Sequence, residues 1–171
     1  MEHLRTLIRA VPDFPTPGVV FRDITPLLQQ PAAFTEVVER LAAEFRARGV
    51  DRVAAIESRG FLFGAPLALA LGVGFAPIRK LGKLPASTIR RAYSLEYGSN
   101  HLEMHRDAVE AGQRVLVVDD VLATGGTAEA SAAMVEELGA EVVATAFVIE
   151  LLALKGRERL ARYEVYSLLR Y

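Results

Sequence analysis

The segment from Val115 to Thr127 combines a phosphate-binding pattern with two adjacent acids. It reads Val-Leu-Val-Val-Asp-Asp-Val-Leu-Ala-Thr-Gly-Gly-Thr, so an apolar run leads into the acids and then into a small loop. Gly125 and Gly126 would let the backbone approach a ligand closely, and N–H groups at the start of a helix bind anions. The hydroxyls of Thr124 and Thr127 could add donors. The predicted phosphate loop consists of Ala123, Thr124, Gly125, Gly126 and Thr127.

Asp119 and Asp120 need a different partner, because a phosphate group would repel their carboxylates. They could accept hydrogen bonds from sugar hydroxyls or hold the water shell of a magnesium ion, and a ribose 5-phosphate would satisfy both the acids and the loop. In the plainer alternative the acids only begin a turn and Thr127 only caps a helix. Paired acids at the end of a buried strand favour the ligand, since their desolvation is costly without one.

Other nucleotide-binding motifs fit the sequence worse. No G-x-G-x-x-G pattern follows a predicted strand. The Gly82-Lys83 pair precedes Leu84, where a P-loop needs Ser or Thr, so a P-loop is excluded.

Apolar patterns predict the elements that would position these residues. The predicted strands are Val53 to Ile56, Phe75 to Ile78, Val115 to Val118 and Val142 to Ile149. The predicted helices begin at Pro31, cover Phe61 to Leu71 and cover Thr127 to Leu138, with Gly49 and Gly139 as stop signals. Strands separated by helices predict an α/β fold with a mainly parallel, twisted sheet flanked by helices. Such sheets bind ligands at the C-terminal ends of their strands.

The composition favours a single globular domain over residues 1–171, without charge-driven partners. The chain has 171 residues with 51% hydrophobic content, enough for one core. Its net charge of −1 does not indicate binding to nucleic acid or to an anionic membrane. Cysteine is absent, which fits a reducing compartment, and the first residues lack a signal-peptide pattern. A cytoplasmic location is therefore expected.

The apolar segment from Phe61 to Ile78 has no charged residue and is about as long as the shortest membrane span. Glycine and proline interrupt it at Gly64, Pro66, Gly72, Gly74 and Pro77. A buried helix, a turn and a short strand are expected instead, and no membrane partner.

The stretch from Val115 to Thr127 closely resembles the signature with which type I phosphoribosyltransferases bind 5-phosphoribosyl 1-pyrophosphate (PRPP). Four further segments are similar to the adenine phosphoribosyltransferases of that family: Phe14-Pro-Thr-Pro-Gly-Val-Val-Phe-Arg-Asp-Ile24, Glu57-Ser-Arg-Gly-Phe61, Ile78-Arg-Lys-Leu-Gly-Lys-Leu-Pro85 and Tyr93-Ser-Leu-Glu-Tyr-Gly98. The resemblance implies a homodimeric enzyme that joins adenine to PRPP and releases pyrophosphate to leave AMP.

The same resemblance implies how the domain is divided. Residues 1–33 would form an N-terminal arm and a hood over the purine, and residues 34–171 the core, including a mobile β-hairpin lid at 83–104. The apolar residues Val165, Leu168 and Leu169 fit a core strand or an interface equally well.

The resemblance places adenine under the hood at Val20, Phe21 and Arg22. Backbone groups there would match the base's N–H and ring nitrogen, whereas an exocyclic oxygen would put an acceptor against an acceptor. Such a site rejects hypoxanthine and guanine. The alternative is a rigid turn that packs Phe14 and Phe21 in the core, and both interpretations can hold together.

Four cations would surround the pyrophosphate of PRPP by resemblance: Arg59, Arg79, Lys80 and Lys83. Arginine and lysine suit this role because they stabilise the charge that builds on a leaving phosphate. Solvated surface charge is the ordinary alternative for Lys80 or Lys83. Arg59 is favoured, since it follows an apolar strand and opens a helix. The family also implies a non-proline cis peptide in this loop, so an unusual backbone is predicted at Ser58 to Arg59.

The segment from about Lys83 to Met104 is predicted to be the lid, with β-like runs at Ser87 to Ile89 and Ala92 to Leu95. A lid excludes water from the reacting centre. By resemblance, Glu96 acts at the purine N7 and Tyr97 covers the substrates. Without the resemblance, Glu96 would be interpreted as a solvated lid residue.

Metal ligation by His101 and His105 is disfavoured. Leu102 and Met104 alternate with His101, Glu103 and His105, which predicts a half-buried strand with its polar face in solvent. Magnesium is the expected cofactor, held by PRPP oxygens and water with no direct protein ligand.

Two other functions are weighed against this one. A phosphoribosyltransferase for another base, such as hypoxanthine, xanthine or orotate, is disfavoured by the segment from Phe14 to Ile24. A non-catalytic PRPP sensor that controls transcription would use the same fold. It would need a partner surface or a DNA-binding module, and no basic helix-turn-helix pattern precedes the domain.

Overall fold

The computed structural model describes residues 1–94 and 99–171. Its helices are α1 (Glu2–Thr6), α2 (Thr25–Leu28), α3 (Pro31–Phe45), α4 (Arg59–Leu71), α5 (Gly126–Glu137) and α6 (Gly156–Arg159), with a 3₁₀ turn at Leu152–Leu154. Its strands are β1 (Arg9–Val11), β2 (Phe21–Asp23), β3 (Arg52–Ile56), β4 (Gly74–Lys80), β5 (Thr88–Ser94), β6 (Ser99–His105), β7 (Arg114–Leu122), β8 (Glu141–Glu150) and β9 (Val165–Arg170).

A seven-stranded sheet in the order β5-β6-β4-β3-β7-β8-β9 forms the centre of the fold. The strands from β4 to β9 in that order pair in parallel, whereas β6 runs antiparallel to both β4 and β5. The predicted α/β fold with a mainly parallel sheet flanked by helices is therefore confirmed. Because β3 and β7 are neighbours, the loops that follow them meet at one edge of the sheet.

Helices cover both faces of this sheet. Alternate residues of a strand point to opposite faces, and β3 shows the result. Val53 and Ala55 belong to the apolar cluster that contains the buried side of α3 and α4. Ala54 and Ile56 belong to the cluster that contains the buried side of α5. The central strands are thus buried on both sides, and only their ends are free to bind a ligand.

The four predicted strands are present as β3, β4, β7 and β8, but β7 is longer than predicted. Its pairing with β8 continues through Val121 opposite Ile149 to Leu122 opposite Glu150. Backbone pairing does not depend on the side chain, so Asp119 and Asp120 lie inside the strand and not after it. Strand geometry fixes the direction of both carboxylates.

Two of the predicted helices begin slightly earlier than expected. Helix α4 starts at Arg59, two residues before the predicted Phe61, and α5 starts at Gly126, one residue before the predicted Thr127. Helix α3 begins at Pro31 as predicted, where proline costs no hydrogen bond. Two predicted ligand-binding residues, Arg59 and Gly126, therefore lie in the first turns of these helices.

The predicted lid hairpin corresponds to β5 and β6 over the residues that the structure describes. The two short runs predicted within it form one strand, since β5 pairs with β6 from Thr88 opposite His105 onwards. Leu102 and Met104 are buried as predicted. The expectation that Glu103 faces solvent is wrong, because the turn after β4 covers it and leaves it 1% exposed.

The C-terminal apolar residues belong to a core strand. Strand β9 pairs in parallel with β8, and Leu169 is fully buried between the sheet and its covering helices. The interface alternative is therefore not needed for Leu169.

The apolar segment from Phe61 to Ile78 forms most of α4 and the first part of β4. Gly72 ends the helix with a φ of +70°, a left-handed conformation that glycine adopts without strain. Across residues 1–94 and 99–171, no helix has the length and apolar character needed to cross a membrane.

Glu150, buried at the end of β8, forms an ion pair with Arg157, whose side chain is 39% exposed. Arg157 donates from Nε to Oε1 at 2.8 Å and from Nη2 to Oε2 at 2.7 Å. These hydrogen bonds outweigh burial and hold the pKa of the Glu150 carboxyl below its ordinary value. A carboxyl with a lowered folded-state pKa stabilises the fold above its unfolded-state pKa, and that contribution is lost as the pH falls through the folded-state pKa.

Glu150→Gln is expected to lower the free energy of unfolding at neutral pH by about 1–2 kcal/mol, because Arg157 loses its charge partner but is partly solvated. The difference from the wild type should shrink once the pH falls below 4.5, the ordinary pKa of the group. Urea unfolding at neutral and acidic pH measures both effects. Glu158→Gln is the control, since the exposed Glu158 lies 3.8 Å from Lys155 and should contribute little. A difference that does not vary with pH would contradict this account.

Candidate active site

Three neighbouring cavities meet at Asp119 and Thr127. The acid cavity, of about 350 Å³, is lined by Ile56, Glu57, Ser58, Arg59, Lys80, Tyr93, Asp119, Asp120 and Thr127. The loop cavity, of about 60 Å³, is lined by Asp119, Val121, Leu122, Ala123, Thr124, Gly125, Thr127, Ala128 and Phe147. The hood cavity, of about 350 Å³, is lined by Val19, Val20, Phe21, Arg22, Arg59, Asp119, Asp120, Val121, Ala123, Thr127, Leu151 and Leu154.

The two acids of β7 stand side by side where these cavities join. The Asp120 N–H donates to Asp119 Oδ1 at 2.8 Å. Arg59 Nε lies 2.7 Å from Asp120 Oδ2, yet that buried oxygen accepts no hydrogen bond from the described part of the chain. A buried carboxylate oxygen without a donor is costly, so the site has an unmet demand for hydroxyl, water or cation partners.

The pKa values of both acids are raised, which agrees with a site that lacks hydrogen-bond donors. Burial, followed by the neighbouring Asp120, raises the pKa of Asp119 well above its ordinary value. Burial also raises the pKa of Asp120, against the opposing charge of Arg59. Both carboxyls are therefore held in surroundings that favour gaining a proton or a hydrogen-bond donor.

The loop from Ala123 to Thr127 is shaped by close backbone packing against α6. Gly125 has a φ of +84° and immediately precedes α5. A Cβ at Gly125 would lie 2.6 Å from the carbonyl oxygen of Gly156, and one at Gly156 would lie 2.3 Å from that of Ala123. Glycine is thus required at both Gly125 and Gly156 for α6 to support the loop. The N–H groups of this loop begin α5, which is the arrangement that a phosphate site needs.

The loop after β3 brings the start of α4 directly onto the acid pair. The peptide bond between Glu57 and Ser58 is cis, so the unusual backbone lies one bond earlier than predicted. Arg59 is the first residue of α4. A Cβ at Gly60 would lie 2.9 Å from Asp119 Oδ1, and the absence of a side chain there lets the helix approach the carboxylate.

The four predicted pyrophosphate cations do not all line the acid cavity. Arg59 and Lys80 do. Arg79 instead donates from Nε to Glu57 Oε2 at 3.0 Å, and the Lys80 N–H donates to the same oxygen at 3.1 Å. Burial alone would raise the pKa of Glu57, but these hydrogen bonds lower it. Glu57 therefore orients the basic end of β4 towards the acid cavity.

The hood segment predicted for adenine lines its own cavity. Strands β1 and β2 form a separate antiparallel pair, and Phe14 packs edge to face on Phe21 with ring centroids 5.2 Å apart. The alternative that both rings lie in the core is wrong, because Phe14 is 51% exposed. The Arg59 guanidinium lies 5.0 Å from the Phe21 ring centroid, so one arginine contacts both the hood and the acid pair.

Several lining residues were missed from the sequence. Glu57 begins the segment in which only Arg59 was predicted to bind a ligand. Tyr93 begins the segment in which only Glu96 and Tyr97 were predicted to act on substrate. Leu151 and Leu154 follow β8 and had no local signal, although β8 is next to β7 in the sheet. Glu96 and Tyr97, the two lid residues predicted to act on substrate, lie outside the described residues.

A fourth cavity, of about 290 Å³, lies between β5 and α5. Its arginines each face a glutamate: Arg91 with Glu137 at 4.0 Å, Arg159 with Glu129 at 3.6 Å and Arg162 with Glu136 at 3.2 Å.

Residues 24–169 match the family model of the phosphoribosyl transferase domain. That match covers most of the chain, and with the parallel sheet and the acid-and-glycine loop it defines a type I phosphoribosyltransferase.

Comparison with known proteins identifies the family within the type I phosphoribosyltransferases to which the chain belongs. An adenine phosphoribosyltransferase of Roseiflexus sp. (strain RS-1) is 60% identical over 99% of this chain and 98% of its own length. The crystal structure of adenine phosphoribosyltransferase from Thermoanaerobacter pseudethanolicus is 53% identical, with a TM-score of 0.97 over 99% of both chains. The Saccharomyces cerevisiae enzyme, complexed with an imino-altritol bisphosphate and adenine, is 42% identical, with a TM-score of 0.93 over 98% of this chain and 97% of its own. This chain belongs to the adenine phosphoribosyltransferase family.

Proposed function

We propose that this protein transfers the 5-phosphoribosyl group of PRPP to N9 of adenine, giving AMP and pyrophosphate, a purine salvage reaction. The observation that carries the proposal is the meeting of three chemically different cavities at Asp119 and Thr127. One is acidic with cations, one is a backbone phosphate loop, and one is partly apolar beneath the hood. Ribose, its 5-phosphate and a flat base need these three environments.

The 5-phosphate is assigned to the loop from Ala123 to Thr127 and the ribose hydroxyls to Asp119 and Asp120. Asp120 Oδ2 supports the second assignment, because it is ion-paired with Arg59 but accepts no hydrogen bond within the described residues, and a sugar hydroxyl would supply that donor. The phosphate then lies at the start of α5, where N–H groups and the helix dipole favour an anion.

The pyrophosphate is assigned to the acid cavity, beside Arg59 and Lys80, with Arg79 and Lys83 supporting its edge. Arg59 is 41% exposed at its side chain although it lies against Asp120, so it can also face a ligand. Cations at this position stabilise the charge that develops as pyrophosphate leaves C1 of the ribose.

Magnesium fits the acid cavity as an ion carried by PRPP. Within residues 1–94 and 99–171 there is no cluster of three or more acidic or histidine side chains that could cage a metal. Asp119 and Asp120 would instead hold its water shell, which suits a cation that keeps several waters. When bound with PRPP, magnesium neutralises charge on the departing pyrophosphate.

Adenine is assigned to the hood cavity, against Val20, Phe21 and Arg22. Val121, Leu151 and Leu154 give this cavity an apolar wall on which a purine can lie. Backbone groups of the hood segment would read the base edge, so an oxygen in place of the exocyclic amine would face another acceptor. Attack of N9 opposite the leaving pyrophosphate inverts the anomeric centre.

Glu96→Gln is expected to lower kcat by about 100-fold while leaving the affinity for PRPP unchanged, since a proton shared with N7 assists only the chemical step. Steady-state kinetics with PRPP titrations measure both quantities. Glu110→Gln, in an exposed loop, is the control and should retain full activity. Equal losses in kcat and in PRPP affinity would contradict the assigned role.

A homodimer is proposed from exposed apolar side chains on α4. Leu62 is 41% and Leu69 is 83% exposed, and residues seven apart lie on the same face of a helix. A second copy of the chain would cover this face. Sedimentation velocity tests the proposal: a species of one chain mass at micromolar concentration would contradict it.

The deciding experiment supplies magnesium, PRPP and one base at a time, with adenine, hypoxanthine and guanine in separate reactions. AMP from adenine alone is the expected result. IMP or GMP in place of AMP would leave the PRPP site standing but refute the assigned base recognition. Binding of PRPP without any product would favour a PRPP sensor.

A further inference from the structure

Glu103 is a buried carboxylate that the proposed function does not use. It lies on β6, is 1% exposed, and lines none of the three cavities that meet at Asp119. A charge taken out of water must be compensated by donors, so the donors around Glu103 indicate what it holds in place.

Those donors are main-chain N–H groups of the turn that follows β4. Glu103 Oε1 accepts a hydrogen bond from the Lys83 N–H at 2.7 Å and from the Leu84 N–H at 2.8 Å. Gly82 enters this turn with a φ of +80°, and consecutive N–H groups in such a turn form a concave anion site. Burial alone would raise the pKa of Glu103, but the N–H groups of Leu84 and Lys83 lower it.

Arg79 holds the same turn from its other side. Its Nη1 donates to the Lys83 carbonyl at 3.2 Å, while its Nε donates to Glu57 in the wall of the acid cavity. Arg79 is also directly opposite Glu103 in the β4–β6 pairing. The main chain of Lys83 is therefore fixed at both its N–H and its carbonyl group.

The side chain of Lys83 is exposed, and Glu57, on which its charge acts, lines the acid cavity. Its ammonium charge is among those that lower the pKa of Glu57 against the effect of burial. Glu103 thus fixes the backbone of a cation that is assigned to pyrophosphate.

We propose that Glu103 is a positioning residue for PRPP: it clamps the turn at 82–84 so that Lys83 is already in place when pyrophosphate arrives. The inference rests on the proposed function. A turn that is ordered before binding does not have to lose conformational freedom on binding, so Glu103 should act on the affinity for PRPP more than on the chemical step.

Glu103→Ala is expected to raise the KM for PRPP about 10-fold while changing kcat and the KM for adenine by less than about 3-fold. Glu103→Gln keeps an oxygen that can accept from the turn and should recover most of the PRPP affinity. Added to Lys83→Ala, Glu103→Ala should have almost no further effect, since both changes remove the same contact. A merely structural role would give neither the KM-specific change nor this non-additivity.

Glu141→Gln is the control, because it removes a carboxylate that pairs with Arg114 at 2.7 Å outside the three cavities and should leave the KM for PRPP unchanged. If Glu103→Ala does not fold, Glu103→Asp replaces it, since a shorter carboxylate cannot reach both N–H groups. An unchanged KM for PRPP, or full additivity with Lys83→Ala, overturns the inference. Calorimetric titration of the wild type with PRPP distinguishes failure of the proposed function from failure of the positioning role of Glu103. If the wild type does not bind PRPP, the proposed function itself is refuted.

Discussion

Replacing Asp119 and Asp120 together by asparagine is expected to lower kcat/KM for PRPP by about 10³-fold and, at the same time, to stabilise the ligand-free protein. Hydrogen bonds from hydroxyls to a carboxylate are worth about 1.5–3 kcal/mol each, more than those to an amide. Asparagine still accepts a hydrogen bond, so each substitution loses about 2 kcal/mol, and the two together account for the expected fall in activity. Asparagine keeps the size of the side chain, so the cavities should retain their shape.

The gain in stability follows from the raised pKa values of the pair. Burial and mutual repulsion raise the pKa of Asp119, and burial raises that of Asp120. A carboxyl with a raised folded-state pKa destabilises the fold at a pH above that value, and the effect disappears as the pH falls through it. The double variant should therefore exceed the wild type by about 1–2 kcal/mol at neutral pH, and by less in acid.

Urea unfolding and initial-rate kinetics on the same preparations test both effects. Asp107→Asn, at an exposed turn outside the three cavities, is the control and should change neither quantity. Retained activity in the double variant would refute the sugar-binding role. A loss of stability at neutral pH would show that Arg59, 2.7 Å from Asp120, contributes more than the burial cost removes.

Gly125→Ala is expected to lower kcat/KM for PRPP about 10³-fold by moving the phosphate loop. The new methyl group would lie 2.6 Å from the Gly156 carbonyl oxygen and 3.3 Å from Arg159 Cβ, so the loop or α6 has to shift. The φ of +84° at Gly125 is a second obstacle for alanine. Because the N–H groups of the loop start α5, their displacement removes several phosphate contacts at once.

Gly112→Ala separates these two effects. Gly112 has a φ of +82°, but a methyl group added there would meet no atom within 4 Å, so alanine brings the backbone strain without the steric contact. It should lose about 1 kcal/mol of stability and retain full activity. Equal activities of the two glycine variants would contradict the role given to the contact between Gly125 and Gly156.

The sequence was sufficient to predict that the loop from Ala123 to Thr127 and the two acids lie together at cavities, because that segment is contiguous. An apolar strand, two acids and two glycines are contiguous, and each has a physical use that needs no distant partner. The same holds for β3 and β4, whose apolar runs reflect burial on both faces of a parallel sheet. Their order in the sheet follows from the crossover helices between them.

Residues whose roles depend on distant neighbours could not be predicted in this way. The alternation around Glu103 predicts a solvent-facing position, and only the return of the chain from β4 buries it. Glu57 reveals its role only when β4 brings Arg79 beside it. The extension of β7 depends likewise on its pairing with β8, which no short segment of sequence specifies.

Strand β5, which pairs antiparallel with β6, is an outer edge of the seven-stranded sheet. Such an edge exposes backbone groups on which the sheet of another molecule could continue. Consecutive arginines, Arg90 and Arg91, place positive charge on both faces of this strand, with side chains 62% and 43% exposed. Stacking a second copy on β5 would bring these charges together. We therefore expect the two arginines to disfavour edge-to-edge pairing of two molecules at high concentration.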